Sequence, residues 1–326
     1  MKLLLLLITA FCVCSCNSLS QNNESFVIRE YSIESDTTLE EAFLHNNYYY
    51  CLSNKKDFIV LNKHFRIDTS ITSRINKQDF NFVFLHKDTL IAGRFNKDYS
   101  RQYYFLSGNH TWLVYNNEIG PPPFFEDNKY TASRCCFGEF GGSVSFQEKG
   151  TKNVYGLPAT CPVAINKLNG QYYITASLSH GSGFTKIFHV KNPKNLFNLQ
   201  TIQPDSLRRF CNWAEMLQSN RPRRITKDLE VGATVLLDTM GIQTLASFTL
   251  NGKLYHLNTS SNYTTIGRIE AKRMFTMDTI NNKPTWSYRP IYKQYPSSHI
   301  YSFANGEASG FIVINKDTLS TIIFHQ

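Results

Sequence analysis

The sequence lacks the short motifs that mark the commonest metal and cofactor sites. Neither Cys-x-x-Cys nor His-x-x-x-His occurs, so the usual ligand spacing of a zinc site is missing. No glycine-rich loop is followed by Lys-Ser/Thr and no Gly-x-Ser-x-Gly is present, so neither a phosphate-binding loop nor a nucleophile elbow is predicted. We therefore expect no metal and no cofactor.

Long stretches of Ala, Glu, Lys and Leu, which are typical of helical proteins, are nearly absent too. The 326 residues include 24 Phe and 18 Tyr, and Thr, Ile and Val are plentiful. These side chains suit a pleated, half-buried surface. With 42% hydrophobic and 18% charged residues, the composition is globular rather than disordered. An all-β fold is the resulting prediction.

The chain is basic, with a formal net charge of +9. Lys and Arg are spread along it, and residues 221–224 form the one dense cluster. No nucleic-acid-binding motif accompanies the charge, so we expect a dispersed basic surface and no nucleic-acid partner.

Several signals predict β-hairpins. Asn-Gly dipeptides stand between strand-like runs at 169–170, 251–252 and 305–306, and both residues tolerate the positive φ of a tight hairpin turn. Segments 82–95 and 311–324 share six identities at the same offsets. We interpret each as two apolar strands joined by a Lys-Asp-Thr turn.

A repeat of about forty residues predicts how the hairpins assemble. Asp-Thr recurs at Asp238, Asp278 and Asp317, and four strand-like runs separate the first two: 242–250, 253–257, 264–269 and 273–277. Four antiparallel strands in this length make one propeller blade. We predict a single domain over residues 41–326, a β-propeller of six or seven four-stranded blades. A pair of β-sandwiches or a β-solenoid is the alternative, because no WD or Kelch signature is present.

One segment has helical periodicity. Between about residues 205 and 219, apolar side chains recur at helical spacing, at Leu207, Phe210, Cys211, Ala214 and Leu217. We predict a short inserted helix that packs on the sheets or acts as a lid, with partner binding as the alternative.

Two glycine-rich loops supply the candidate catalytic residues. Loop 133–146 contains Arg134 and Glu139, which form either a catalytic pair or an ion pair that braces the loop. Loop 177–184 contains His180, which is either a general base or a turn residue. Most acidic residues flank turns, where an Asp bonds its own backbone.

The N-terminus has the pattern of an export signal. Lys2 is followed by an apolar run over residues 3–13, too short to span a bilayer. Val13, Cys14 and Ser15 then precede Cys16, and this arrangement resembles the bacterial lipobox. The resemblance implies a signal peptide over residues 1–15, a lipidated Cys16, a flexible tether over 16–40, and a cell-envelope location, at the outer membrane on its periplasmic or surface side. An ordinary secretory signal is the alternative.

An exported protein is able to form disulfides. Five cysteines follow the export signal, namely Cys51, Cys135, Cys136, Cys161 and Cys211. Because five is odd, at least one thiol has no partner within the chain. We expect one bridge, from Cys136 or its neighbour Cys135 to Cys161.

The Asp-Thr dipeptides have a second interpretation. Asp-Ser/Thr followed by an aliphatic residue, Met or Thr resembles the acceptor motif for O-glycosylation of exported proteins in Bacteroidota. The resemblance implies modification at Thr37, within Asp36-Thr37-Thr38, because the predicted tether would expose it.

Together these features predict a lipid-anchored envelope protein that binds a glycan, a peptide or another envelope protein. The alternative is a glycosidase-like propeller hydrolase with acidic residues and a His in a central pocket. A purely structural scaffold is the third candidate.

Overall fold

The computed structural model describes residues 25–86, 88–96, 98, 100–116, 119, 122–179, 181–199, 231–281, 285, 291–304 and 308–325. The strands form six sheets, arranged as the six blades of a propeller. Strands account for 63% of the structure. The predicted all-β class is therefore confirmed, and the structure selects six blades from the six or seven expected.

With two exceptions, the strands follow one another along the chain, blade by blade. Blade 1 contains β2 (Leu39–His45), β3 (Tyr48–Ser53) and β4 (Phe58–Leu61), and blade 2 contains β5 (Phe82–His86), β6 (Thr89–Phe95), β7 (Arg101–Leu106) and β8 (Trp112–Tyr115). Blade 3 contains β9 (Phe125–Glu126), β10 (Tyr130–Cys136), β11 (Gly142–Glu148), β12 (Val154–Pro158) and β16 (Phe197–Asn198).

The second half of the ring is built in the same way. Blade 4 contains β13 (Pro162–Leu168), β14 (Gln171–Leu178), β15 (Phe184–Val190) and β17 (Ala233–Met240). Blade 5 contains β18 (Gln243–Leu250), β19 (Lys253–Thr259), β20 (Thr264–Glu270) and β21 (Arg273–Asn281). Blade 6 contains β22 (Ile291–Gln294), β23 (His299–Ala304), β24 (Ser309–Asn315) and β25 (Thr318–His325), together with β1 (Val27–Glu34).

The repeated segment forms a hairpin at both positions. In the first, β5 and β6 pair with His86 opposite Thr89, and Asp88 has a φ of 60° in the turn. In the second, β24 and β25 pair with Asn315 opposite Thr318. Both hairpins are confirmed, although the first opens blade 2 and the second lies at the outer part of blade 6.

The Asn-Gly turns and the repeat unit agree with the structure. Asn169 and Gly170 have φ values of 51° and 76°, and Asn251 and Gly252 have 49° and 72°, as a type I′ turn requires. The third dipeptide, at 305–306, lies outside the described residues. The four runs between the first two Asp-Thr dipeptides form β18, β19, β20 and β21, all of one blade.

The ring is closed by its first strand. β1 pairs in parallel with β25, from Val27 opposite Thr318 to Glu34 opposite His325. The first described strand of the propeller therefore begins at Val27, and the expectation of a tether over residues 16–40 and a domain that starts at residue 41 is wrong for this segment. The polar sequence VIREYSIE hid the strand, because an edge strand has one neighbour and keeps polar side chains.

The one helix in the described ranges, α1 (Thr69–Ile75), was not predicted. Asp68 caps it by accepting the Ile71 N–H at 2.9 Å, and Ile71 and Ile75 are buried. Four of its seven residues are Thr or Ile, which favour strands locally. No helix within the described residues is long and apolar enough to cross a bilayer. The predicted helix at 205–219 lies outside the described residues.

Four apolar clusters lie between neighbouring blades and hold the ring together. They occupy the interfaces of blades 1 and 2, 3 and 4, 5 and 6, and 6 and 1. The last of these surrounds the ring closure, where Ile33 of β1 packs with Tyr49 of blade 1 and Phe311 of blade 6. The closing strand therefore contributes to the core as well as to the sheet.

Candidate functional site

A groove lies where the ring closes, between blade 6 and blade 1. We call it the closure groove. It has a volume of about 1000 Å³ and is lined by β1, the turn between β24 and β25, and loop 62–66. The volume falls at the upper end of the range of ligand pockets. Its walls come from the two ends of the domain, so the groove exists only when the ring is closed.

Loop 62–66 is shaped by one side chain. The Asn62 Oδ1 atom accepts the backbone N–H groups of His64 and Arg66 at 2.9 and 3.2 Å. The backbone N–H of Phe65 donates to the Asn62 carbonyl at 2.9 Å. An Asn that bonds backbone groups ahead of it is a standard means of fixing a turn. Asn62 therefore fixes the backbone of the loop, whose residues line the groove.

Phe65 occupies an unusual backbone conformation. Its φ is 57°, a left-handed value that is rare for a bulky side chain and is often found at functional sites. The ring lies 4.7 Å from that of Tyr31 and 5.1 Å from that of Tyr49, centroid to centroid. Tyr31 and Phe65 are both half-buried and line the groove. The strained loop therefore builds a partly exposed aromatic surface.

The groove is strongly basic. Arg29, Lys63, Arg66 and Lys316 line it, against the single carboxylate of Asp317. Four positive charges and one negative charge leave a net +3 with His64 neutral. Within the described part of the chain, none of the four cations has a carboxylate partner. A basic surface beside aromatic rings is suited to ligands that combine carboxylate groups with apolar ring faces.

Arg134, a candidate catalytic residue, lies on β10 and not in the closure groove. Its guanidinium donates to the Pro162 carbonyl at 2.6 Å and lies 4.4 Å from the centroid of the Phe124 ring. Pro162 begins β13, so the hydrogen bond links blade 3 to blade 4. These contacts indicate a bracing role.

Glu139 is exposed in a short 3-10 turn, residues 138–140, after β10. It does not line the groove either. His180 and Cys16 lie outside the described residues. The sequence motifs therefore did not lead to the closure groove, since its lining residues are contributed by segments far apart in the chain.

Cys136 and Cys161 form a disulfide, with Cα atoms 4.3 Å apart. The bridge joins the end of β10 in blade 3 to the approach to β13 in blade 4. Cys135 lies on β10 and is also disulfide-bonded, so the expectation of one bridge is wrong; its sulfur lies 3.1 Å from the Ser143 Oγ atom. Cys51 is a buried free thiol, and Cys211 lies outside the described residues.

Thr37 differs from its expected setting. It lies between β1 and β2, and the residue is only 8% exposed. Its backbone N–H and its hydroxyl both contact the Ser35 Oγ atom, at 3.2 and 3.1 Å. The expectation that Thr37 lies in an exposed tether is wrong, because Thr37 is buried in the loop that joins β1 to β2.

Many carboxylates in the described part of the chain form ion pairs with basic side chains. Eight acidic residues form ion pairs with Lys or Arg: Asp36, Glu40, Glu41, Glu126, Asp127, Glu148, Asp238 and Glu270. An ion pair holds the carboxylate beside its basic partner. These eight carboxylates serve the fold. No three His, Cys, Asp or Glu side chains converge as metal ligands within the described residues.

One pair has the composition of a nucleophile and its base. The Ser247 Oγ atom lies 3.1 Å from the His256 Nδ1 atom, and the Asn166 side chain donates to the Ser247 carbonyl at 2.9 Å. Ser247 and His256 are both fully buried. Burial lowers the pKa of His256 to about 3. A substrate has no route to the pair, so we assign it to the interface of blades 4 and 5.

No protein-family model matches the chain, and no curated protein matches it by sequence. Among solved structures it is similar to the computationally designed Ika8 protein, with 8% identity, a TM-score of 0.35, and coverage of 90% of this chain and 88% of that one. A Trypanosoma rangeli sialidase in complex with sialic acid also matches, at 8% identity and a TM-score of 0.32, over 92% of this chain and 56% of the sialidase. At these values we transfer no property of either protein to this chain.

Proposed function

We propose that this protein is a lipid-anchored module of the cell envelope whose closure groove binds an acidic ligand. The ligand class is a glycan, a peptide or an envelope partner that carries carboxylate or similar groups. The observation that carries the proposal is the groove itself, with four unpaired cations beside the Tyr31 and Phe65 rings.

An acidic glycan fits these groups best. Arg29 and Arg66 are able to bind carboxylates in a bidentate manner. The half-buried aromatic surface offers an apolar face on which a sugar ring is able to pack. A neutral glycan would use the aromatic face alone, and a small inorganic anion would use the cations alone.

The anchor rests on the N-terminal sequence. The lipobox-like residues before Cys16 support diacylation of its sulfur, and each buried CH₂ group adds about 0.8 kcal/mol to membrane binding. Val27 starts β1 beside Asp317, which lines the groove. The segment that would carry the lipid therefore enters the propeller close to the proposed ligand site.

A comparison of ligands tests the binding proposal. We expect the full chain, purified in a non-ionic detergent, to bind oligogalacturonate at least tenfold more tightly than an uncharged oligosaccharide of equal length. Raised salt should weaken the binding, because the contacts are electrostatic. Equal affinity for the two oligosaccharides in calorimetric titrations would count against an acidic ligand.

A single substitution tests the anchor. Cys16→Ala should move the protein from the membrane fraction to the soluble fraction of exporting bacterial cells and remove the lipid from its intact mass. Ser15→Ala keeps a small residue before Cys16 and is the matched control, expected to remain in the membrane fraction. Membrane partition of the Cys16→Ala variant would argue for an unlipidated, secreted protein that associates in another way.

A further inference from the structure

A second cleft, between blades 3 and 4, is lined by lysines. It has a volume of about 580 Å³. Five Lys side chains line it, namely Lys129, Lys149, Lys167, Lys191 and Lys194. We call it the lysine cleft. Its lining differs in every residue from that of the closure groove.

A carboxylate that bonds two lining residues of the lysine cleft has all its acceptor positions occupied. Asp127 Oδ2 accepts Lys167 Nζ at 2.6 Å and the Tyr172 hydroxyl at 2.7 Å, and Oδ1 accepts the backbone N–H groups of Lys129 and Tyr130 at 2.7 and 2.8 Å. These bonds outweigh partial burial and hold the pKa of Asp127 at about 2. Asp127 therefore neutralises Lys167 and has no free acceptor for a second lysine.

The other carboxylates at the cleft are used in the same way. Glu148 pairs with Lys194 at 2.5 Å and accepts the Asn153 amide at 3.1 Å. Glu126 pairs with Lys149 at 2.5 Å. Three lysines thus have acidic partners, and two do not. Within the described part of the chain, no acceptor contacts the ammonium groups of Lys129 and Lys191.

The walls of the cleft are polar rather than aromatic. The Tyr130 and Tyr172 residues are each only 3% exposed, and their hydroxyls donate to Asn192 and Asp127. Their ring faces are packed in the core between blades 3 and 4. Gly170 leaves the rim open, since a Cβ atom there would have no neighbour within 4 Å. Charge is the main property that this cleft offers a ligand.

We propose that the lysine cleft binds a phosphate or sulfate group, with Lys129 and Lys191 as the residues that contact the oxyanion. Two ammonium groups with no internal partner complement a dianion. Asp127 and Glu148 pair with Lys167 and Lys194, so Lys129 and Lys191 provide net positive charge in the cleft. The site is independent of the closure groove and of the lipid anchor.

Calorimetric titration with inorganic pyrophosphate tests the proposal on the full chain in non-ionic detergent. We expect saturable binding that weakens at least tenfold in the Lys129→Gln/Lys191→Gln double variant. The control is Lys77→Gln/Lys272→Gln, which removes the same charge from two exposed lysines elsewhere, and its affinity should change less than twofold. Absence of saturable binding, or equal loss in both double variants, would overturn the proposal.

Competition distinguishes a lipid headgroup from a soluble phosphate. If micelles of a short-chain phosphatidylglycerol displace pyrophosphate and equivalent phosphatidylcholine micelles do not, the oxyanion is supplied by an anionic lipid. If neither displaces it, the ligand is a soluble phosphate or sulfate. Displacement of pyrophosphate by an oligonucleotide at lower concentration than by any small anion would overturn the assignment to a single oxyanion group.

Discussion

The backbone N–H of Val27 donates to the carbonyl of Asp317 at 2.8 Å. This bond starts the parallel ladder between β1 and β25, and it brings the two ends of the domain to one edge of blade 6. The same junction forms one wall of the closure groove. The pairing of β1 with β25 therefore both closes the ring and forms the candidate site.

The first prediction concerns the closing strand. A chain that begins at Ser35 should be less stable than one that begins at Ser25, because it lacks β1 with the buried side chains of Phe26 and Ile33. Burial of two such side chains is worth about 3–6 kcal/mol. Urea unfolding of the two chains measures the difference. Equal stability would show that β1 is dispensable for the fold.

The second prediction concerns close backbone contact in the repeated hairpin. At Gly310 of β24, a Cβ atom would lie 2.1 Å from the Ile322 carbonyl oxygen. Gly310→Ala should lower the free energy of unfolding by about 1–3 kcal/mol, since the backbone must move. At Gly108 a Cβ atom would meet no atom within 4 Å, so Gly108→Ala is the control and should be neutral. Thermal unfolding that ranks the two variants in the opposite order would contradict this packing.

The third prediction concerns acid stability. Burial lowers the pKa of His256 to about 3 and that of His299 to about 4. The unfolded chain takes up these protons near pH 6.5 and the folded chain does not, so stability is complete above pH 6.5 and declines as the pH falls towards 4. The loss should be of the order of 2 kcal/mol per histidine by pH 4.5.

Unfolding of a His256→Gln variant measures the contribution of that group. The variant should be less stable at pH 7.5, because it replaces a packed side chain, but it should show a shallower decline with falling pH. A decline as steep as that of the parent protein would assign the acid sensitivity to other groups.

The fourth prediction concerns loop 62–66. Asn62→Ala removes the acceptor for the His64 and Arg66 backbone N–H groups, which should cost about 1–3 kcal/mol of stability and weaken binding of oligogalacturonate. Asn81→Ala is the matched control, because its side chain accepts the Phe95 N–H at 2.7 Å away from the groove. It should lose stability without losing affinity. Equal affinity of the two variants for oligogalacturonate would show that loop 62–66 does not contribute to binding.

Much of the propeller could be predicted because its signals are local. The Asn-Gly turns and the Lys-Asp-Thr hairpins need only the short-range preferences of a few residues. The four strands β18 to β21 could be predicted because strand-like runs repeat at short intervals along that part of the chain. Helix α1 was missed since its Thr and Ile residues favour a strand, and the capping by Asp68 and burial between blades overcame that preference.

The closure groove could not be predicted, because it is formed by residues that are distant in the chain. Arg29, Phe65 and Lys316 meet only after β1 joins β25. The lipobox resemblance implied a tether over residues 16–40, and that interpretation left Arg29 and Tyr31 out of the folded domain. The left-handed backbone of Phe65 likewise has no sequence signal, since bulky residues rarely adopt it.

The most direct test of the account is the affinity of the full chain for oligogalacturonate before and after the Arg29→Gln/Arg66→Gln double substitution. Loss of two charge-assisted contacts predicts an affinity at least tenfold lower, from about 1.5–3 kcal/mol per contact. The Lys77→Gln/Lys272→Gln variant, with the same net charge, should bind like the parent protein. Equal weakening in the two double variants would show that the overall charge binds the ligand and that the closure groove does not.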